Sequence, residues 1–489
     1  MRYGFWSHRA AMAATLMALA VTGTAFADDA ASNQDVQAEL KSLRARIADL
    51  EQKEDANWMT QERASQIRSI VEETIADAKT RGQFADGDNF GYKNGFYIQT
   101  PDKNFKFQAN GYLQFRYTFA QDRVTNSSSY STQPKHGDVS GFDFRRARLL
   151  FSGNAFSPNL TYMISGDFAG DSTNNNNFQT LDIYMAYRFN DLLNIRAGSF
   201  LTPYSRLEYI SSGMEFTDFP TVFYPFDPVR TLGMSVYGQP IKDHWMYELN
   251  VNNGQKSNTA GRAAEIGGKN DNRLAFYGRS EYVGGGTLAD FNDEADLRKD
   301  KSGLAWEVAA AAGYESANAS SNAFPGSQAN NGLIGISTAP SPGFLGSYPL
   351  NGDLYRGTVD GGLKWQGFSA TSAAFIQQIN ENTGAGITLP AGYATNGSFF
   401  ELGYYGQVGY MITPKIEAVA RAGELLTEGE PNKMEEYSLG LNYYMFGNNA
   451  KVQAEGMFIP SEAAYSSSQA STAINTQDLI FRLQFQLKF

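Results

Sequence analysis

Cysteine is absent from the 489 residues, so no disulfide staples the chain and no zinc–thiolate site can form. Histidine is nearly absent: beyond the first residues only His136 and His244 remain, distant in sequence and without a motif-placed serine. A Ser–His hydrolase has little to build on, and no metal-ligand cluster stands out. Past the first residues no apolar run is long enough to cross a membrane as a helix. Charged residues are only 19% of the chain and the formal net charge is -11, which argues against nucleic acid as a partner. The stretch Gly267-Gly268-Lys269 is not a phosphate-binding loop, because Ala263 stands at the first glycine position and Asn270 replaces Ser or Thr. No cofactor is implied.

The N-terminus addresses the chain to another compartment. Arg2, His8 and Arg9 precede an apolar run over 10–21, and Ala25-Phe26-Ala27 is a small-x-small cleavage site. Residues 1–27 read as a signal peptide rather than an anchor helix, because the apolar run is short. Residues 28–81 lack glycine and place Val36, Leu40, Leu43, Ile47 and Leu50 on the seam of a heptad, flanked by Arg44, Arg46, Asp49 and Glu51. This predicts a short α-helical coiled coil in the periplasm; an amphipathic helix packed on the same chain is the alternative. Residues 82–94 read as a linker.

What the chain has in abundance is glycine (48), phenylalanine (34) and tyrosine (27), most of them past residue 94 and in a two-residue rhythm. Phe105, Phe107, Leu113, Phe115, Tyr117 and Phe119 share one face, while Lys106, Gln108, Asn110, Gln114, Arg116 and Thr118 share the other. The last segment repeats this, with Leu479, Phe481, Leu483, Phe485, Leu487 and Phe489 opposite Arg482, Gln484, Gln486 and Lys488. Side chains alternate across a strand, so each segment is long, apolar and aromatic on one side and polar on the other. A mean hydropathy of -0.39 fits such cancellation. About sixteen segments of this kind fit between 95 and 489, an even number, with short and long connections alternating. One connection, 284–302, breaks the alternation by being long and charged on the short side. The fold class expected is an all-β transmembrane barrel of about sixteen antiparallel strands behind a helical leader, in the bacterial outer membrane with lipid around it.

Three stretches resemble the phosphate-selective porin O/P family: Phe144-Arg145-Arg146-Ala147-Arg148-Leu149, the run from Arg196 to Ser205, and Phe226-Asp227-Pro228-Val229-Arg230. A terminal strand ending in Phe489 also resembles the assembly signal of outer-membrane barrels. The family resemblance implies a sixteen-stranded homotrimer whose third long loop folds into the lumen. The residues near 200–230 are compatible with an ordered loop: Tyr204, Tyr209, Phe216, Phe219, Phe223, Tyr224 and Phe226, with Pro203, Pro220, Pro225 and Pro228, stiffen it. Folding into the lumen is the favoured reading, and packing on a trimer neighbour is the alternative.

Candidate permeation residues are Arg116, Arg146, Arg148, Arg196, Arg206 and Arg230. A basic wall lowers the cost of stripping water from an anion. The competing reading is that wall arginines pair with acids such as Asp167, Asp182, Glu248, Asp360, Glu436 and Glu455 and only keep the lumen wet. The loop acids Glu208, Glu215, Asp218 and Asp227 speak against a strict phosphate site. Passive diffusion of small hydrophilic solutes, with a possible anion bias and no enzymatic activity, is the function expected; a structural anchor tied to the cell wall through the coiled coil is the alternative.

Overall fold

The computed structural model describes residues 38, 41–45, 68–69, 89–124, 139–169, 178–228, 230–254, 273–317, 352–381, 398–428, 433–460 and 476–489. Contacts divide the chain into two units, 1–83 and 84–489. In the first, the described residues are helical and exposed. The signal peptide and most of the heptad seam lie outside the described residues, as does His136.

The second unit is one antiparallel sheet. Its strands are β1 Phe90–Tyr92, β2 Phe96–Gln99, β3 Lys106–Val124, β4 Val139–Asn154, β5 Leu160–Asp167, β6 Gln179–Arg188, β7 Asn194–Leu201, β8 Arg230–Ile241 and β9 Trp245–Asn252. They continue as β10 Ala275–Gly284, β11 Ala305–Ala317, β12 Gly352–Trp365, β13 Phe368–Glu381, β14 Ser398–Thr413, β15 Ile416–Thr427, β16 Met434–Tyr444, β17 Ala450–Ile459 and β18 Thr476–Lys488. Each strand from β3 to β18 pairs with its sequence neighbour, and β18 returns to β3, from Thr476 opposite Val124 to Lys488 opposite Tyr112. Phe489 and Gly111 then exchange two backbone hydrogen bonds of 2.9 Å each. The result is a closed barrel of sixteen strands, β3 to β18. Closure leaves no open sheet edge to lipid, the condition for crossing a bilayer with strands.

The expected faces are observed all round. On β3, Gln114, Arg116 and Thr118 are buried inward, whereas Phe107, Leu113 and Phe115 are exposed outward. Trp245, Tyr282, Trp306, Trp365 and Tyr410 gather on the outer surface toward the short-turn end, an aromatic belt of the kind that sits at a headgroup boundary.

Three features depart from the sequence expectations. The stretch 82–94 is not all linker: β1 and β2 form a small hairpin that pairs with the first residues of β3. Its turn needs Gly95 at φ 124, where a Cβ would lie 2.6 Å from that of Asn110. Next, the connection after β10 does lie on the short-turn side, so the strand count stands. It is long because it carries a 3-10 turn, Leu288–Phe291, and reaches inward. Finally, β4 is bulged. Gln114 faces Arg146 and Phe115 faces Phe144, which leaves Arg145 as an extra residue. A bulge breaks strict alternation and aims two successive side chains the same way.

Candidate permeation site

The loop between β7 and β8, residues 202–228, is held inside the barrel by side chains from distant strands. It contains one helical turn, Arg206–Tyr209, and a 3-10 segment, Thr221–Phe226, stiffened by Pro225. Phe226 stacks on Phe375 of β13, Phe223 meets the same ring at a tilt, and the Tyr204 hydroxyl donates to the Gly357 carbonyl of β12 at 2.8 Å. The wall is bare where the loop touches it: at Gly403 a Cβ would lie 2.6 Å from the Phe226 ring.

Polar anchors finish the seat. Asp218 accepts from Arg116 at 2.7 Å and from Arg145 at 2.6 Å, with Arg482 and Arg146 at 3.8 and 3.9 Å. Arg421 donates to the Asp218 carbonyl at 3.1 Å. Burial alone would raise the Asp218 carboxyl, but Arg145, Arg116 and Arg482 outweigh it and hold it far below the usual carboxylate range. Glu455 accepts from the amide and hydroxyl of Thr217, and Glu436 from those of Thr221. Lys451 and Gln453 both donate to the Met214 carbonyl.

The connection 285–304 meets this loop from the other end. Arg206 donates to the carbonyls of Phe291 and Asp293. Lys364 of β12 donates to those of Asp290, Asp293 and Ala295 at 2.7, 2.6 and 2.9 Å. Glu294 accepts from the Glu215 amide at 2.7 Å, and the Gln407 amide bridges the Glu215 and Glu294 carboxylates.

These anchors occupy the wall from β10 through β18 to β4. The partly exposed inward arginines are on β4, β7 and β8, and their charges are paired with acids of β5, β6 and β9. Arg148 bonds Asp167 at 2.8 Å, Arg230 bonds Asp182 at 3.1 Å, and Arg196 bonds Glu248 at 2.5 Å. Arg148 and Arg230 keep 17% and 18% side-chain exposure, whereas Arg116 keeps none.

Residues 124–276, spanning this wall and the inward loop, match the family of phosphate-selective porin O and P. Over those residues the chain resembles a porin of that family. No curated protein matches it in sequence. Among solved structures it is similar to the anion-selective porin from Comamonas acidovorans, at 11% identity over 79% of this chain and 100% of that one, with a TM-score of 0.49. It is also similar to the outer-membrane channel DcaP of Acinetobacter baumannii, at 12% identity, 80% and 99% coverage and a TM-score of 0.47. Salmonella typhi OmpF stands at 12% identity, 80% and 100% coverage and a TM-score of 0.48.

As an outer-membrane channel for passive diffusion, the porin divides its candidate arginines into two sets. Arg116, Arg146 and Arg206 are buried and fasten loops; Arg148, Arg196 and Arg230 line the partly exposed wall. The loop acids turn toward protein: Glu208, Glu215, Asp218 and Asp227 are all buried. Arg145, which binds Asp218, escapes a sequence reading because strict alternation would send it to lipid. The only signal for it is the double arginine inside an otherwise alternating strand. His244 sits at a turn, its ring nitrogen 3.2 Å from the Val283 carbonyl.

Glu215 gives the porin a pH-sensitive contact. Burial, then Glu417 and Glu294, push its carboxyl well above the ordinary glutamate range, against hydrogen bonds from Ser369 and Gln407. Seating the loop therefore favours the protonated form. That contribution is complete below the ordinary glutamate value and is lost as pH rises through the raised one. Open-channel current noise should grow as pH rises through that window, and Glu215→Gln should flatten the dependence. Identical pH profiles for the two proteins would dismiss this role.

Proposed function

We propose that small hydrophilic solutes cross this porin passively beside the inward loop, along the β4–β8 wall, with Arg148, Arg196 and Arg230 as the permeation residues and only a weak lean toward anions. The observation that carries the reading is the one-to-one pairing of those arginines with Asp167, Asp182 and Glu248. A paired wall is polar and wet but offers a passing ion little net field. The lean toward anions follows from the burial of all four loop acids, which removes them from the solute's path. The homotrimer implied by the family resemblance belongs to this reading; a single-chain mass in detergent would remove it.

The test is the reversal potential of the purified protein in a planar bilayer under a potassium chloride gradient. A small potential of anion-selective sign is expected. A potential close to that of an ideal anion channel, with current blocked by phosphate, would overturn the weak-selectivity reading. Absence of conductance would overturn diffusion itself.

A further inference from the structure

The wall between β6 and β8 carries more aromatic surface than a wet ion path requires. Inward positions there are Asp182, Tyr184, Arg196, Gly198, Phe200, Gly233, Ser235 and Tyr237. The two strands approach closely there: at Gly198, with φ 139, a Cβ would lie 2.6 Å from the Tyr184 Cα. Rings gather round one guanidinium. The Arg196 guanidinium carbon is 4.0 Å from the Phe200 ring centroid, 5.3 Å from that of Tyr184 and 5.5 Å from that of Tyr237. Tyr209, 46% exposed on the helical turn of the loop, lies within electrostatic range of Arg196 and Glu248. Tyr184 and Tyr237 are half-buried, so part of each ring faces the passage.

We propose that this patch is a binding subsite for a neutral pyranose, a sugar ring that slides on the tyrosine faces. The inference deepens the passive-diffusion reading and rests on it. The C–H face of a pyranose is apolar and flat, and it stacks on aromatic rings. Its rim of hydroxyls needs donors and acceptors side by side, which Arg196 with Glu248 and Arg230 with Asp182 supply. Because each arginine is matched by a carboxylate, the patch has no surplus charge with which to retain phosphate. Aromatic faces beside paired charges suit a neutral polyhydroxy ring better than an anion or an apolar solute.

The experiment is blockade of the potassium chloride current through the full-length protein by glucose or maltose, with mannitol as an open-chain polyol and inorganic phosphate as an anion. Ring sugars are expected to block with saturation, while mannitol lowers the current only in proportion to its viscosity. Tyr209→Ala and Tyr237→Ala should each raise the half-blocking concentration several-fold, up to about tenfold, measured against each variant's own open current. Tyr209→Phe, which keeps the ring and the fold, should keep most of the block. Tyr187→Ala, on the outer face of β6, serves as the lipid-side control and should not shift it. Equal effects of mannitol and glucose, or block untouched by the alanine variants, would overturn the subsite while leaving diffusion intact. Saturating block by phosphate alone would replace it with an anion site. A channel without current would instead strike the underlying reading.

Discussion

Asp218→Ala is expected to widen the channel and turn it strongly toward anions. The carboxylate is 3% exposed and faces Arg116, Arg145, Arg146 and Arg482 within 4 Å. Removing one member of a buried ion network strands the others without compensation, at about 3–5 kcal/mol. The barrel ladder itself is untouched by the change, so the loss falls on the seating of the 202–228 loop. That shift alters the seated-to-released ratio by roughly two to four powers of ten. The freed arginines keep Asp143 and Glu455 as partners but gain a net positive charge facing the passage. Single-channel conductance should rise, and the reversal potential under a salt gradient should move far to the anion side. Asp218→Asn, which keeps the shape, should show the selectivity change with less gain in conductance. Wild-type conductance and potential in Asp218→Ala would mean that the loop is seated by Phe223, Phe226 and the threonine–glutamate pairs alone. The network also has an acid limit. The Asp218 carboxyl is depressed, so its contribution is present above the ordinary aspartate range and is lost as pH falls toward the depressed value.

Lys364→Met should release the second constriction. The ammonium satisfies three carbonyls of the 285–304 connection and lies 5.3 Å from the Phe291 ring centroid. A methionine fills similar space but leaves the three acceptors without a donor. Hydrogen bonds from a charged donor are worth about 1.5–3 kcal/mol each, so a loss of roughly 4 kcal/mol is expected for the set, allowing for relaxation and water. The other polar ties of the connection are spread out, among them Arg206 to the Phe291 and Asp293 carbonyls, the Glu215 and Gln407 amides to Glu294, the Gly367 amide to Asp296, and Arg298 to the Lys364 carbonyl. Limited trypsin digestion in detergent should cut after Arg298 at least about tenfold faster than in the wild type, since local opening controls cleavage. Conductance should rise along with it. Unchanged cleavage would show that the hydrophobic contact of Phe291 with Val283 and Ala305 suffices to hold the connection.

The two constrictions differ in how far sequence could announce them. Prolines and aromatics between 200 and 230 mark an ordered loop, and the structure shows what they serve: Phe223 and Phe226 on Phe375. The connection at 285–304 is charged and unremarkable in composition, so its inward course had no local signature. Its determinants are Lys364 and Arg206, which belong to other elements.

The sequence by itself determined the strand faces and the strand number. Those properties are local: the two-residue period assigns each side chain a face without reference to any other strand, and lipid outside demands that apolar face throughout. Tertiary structure alone decided the electrostatics of the passage. The acids of a net acidic loop are all buried: Asp218 and Glu215 meet partners on strands far away in the chain, and the wall acids Glu436 and Glu455 in turn hold loop threonines. Arg145 joins the lumen only because a bulge in β4 overrides alternation. Charge counted along a chain adds up every group equally. The field at a wall depends on which groups are already paired and buried, and pairing is settled only when distant strands close the barrel.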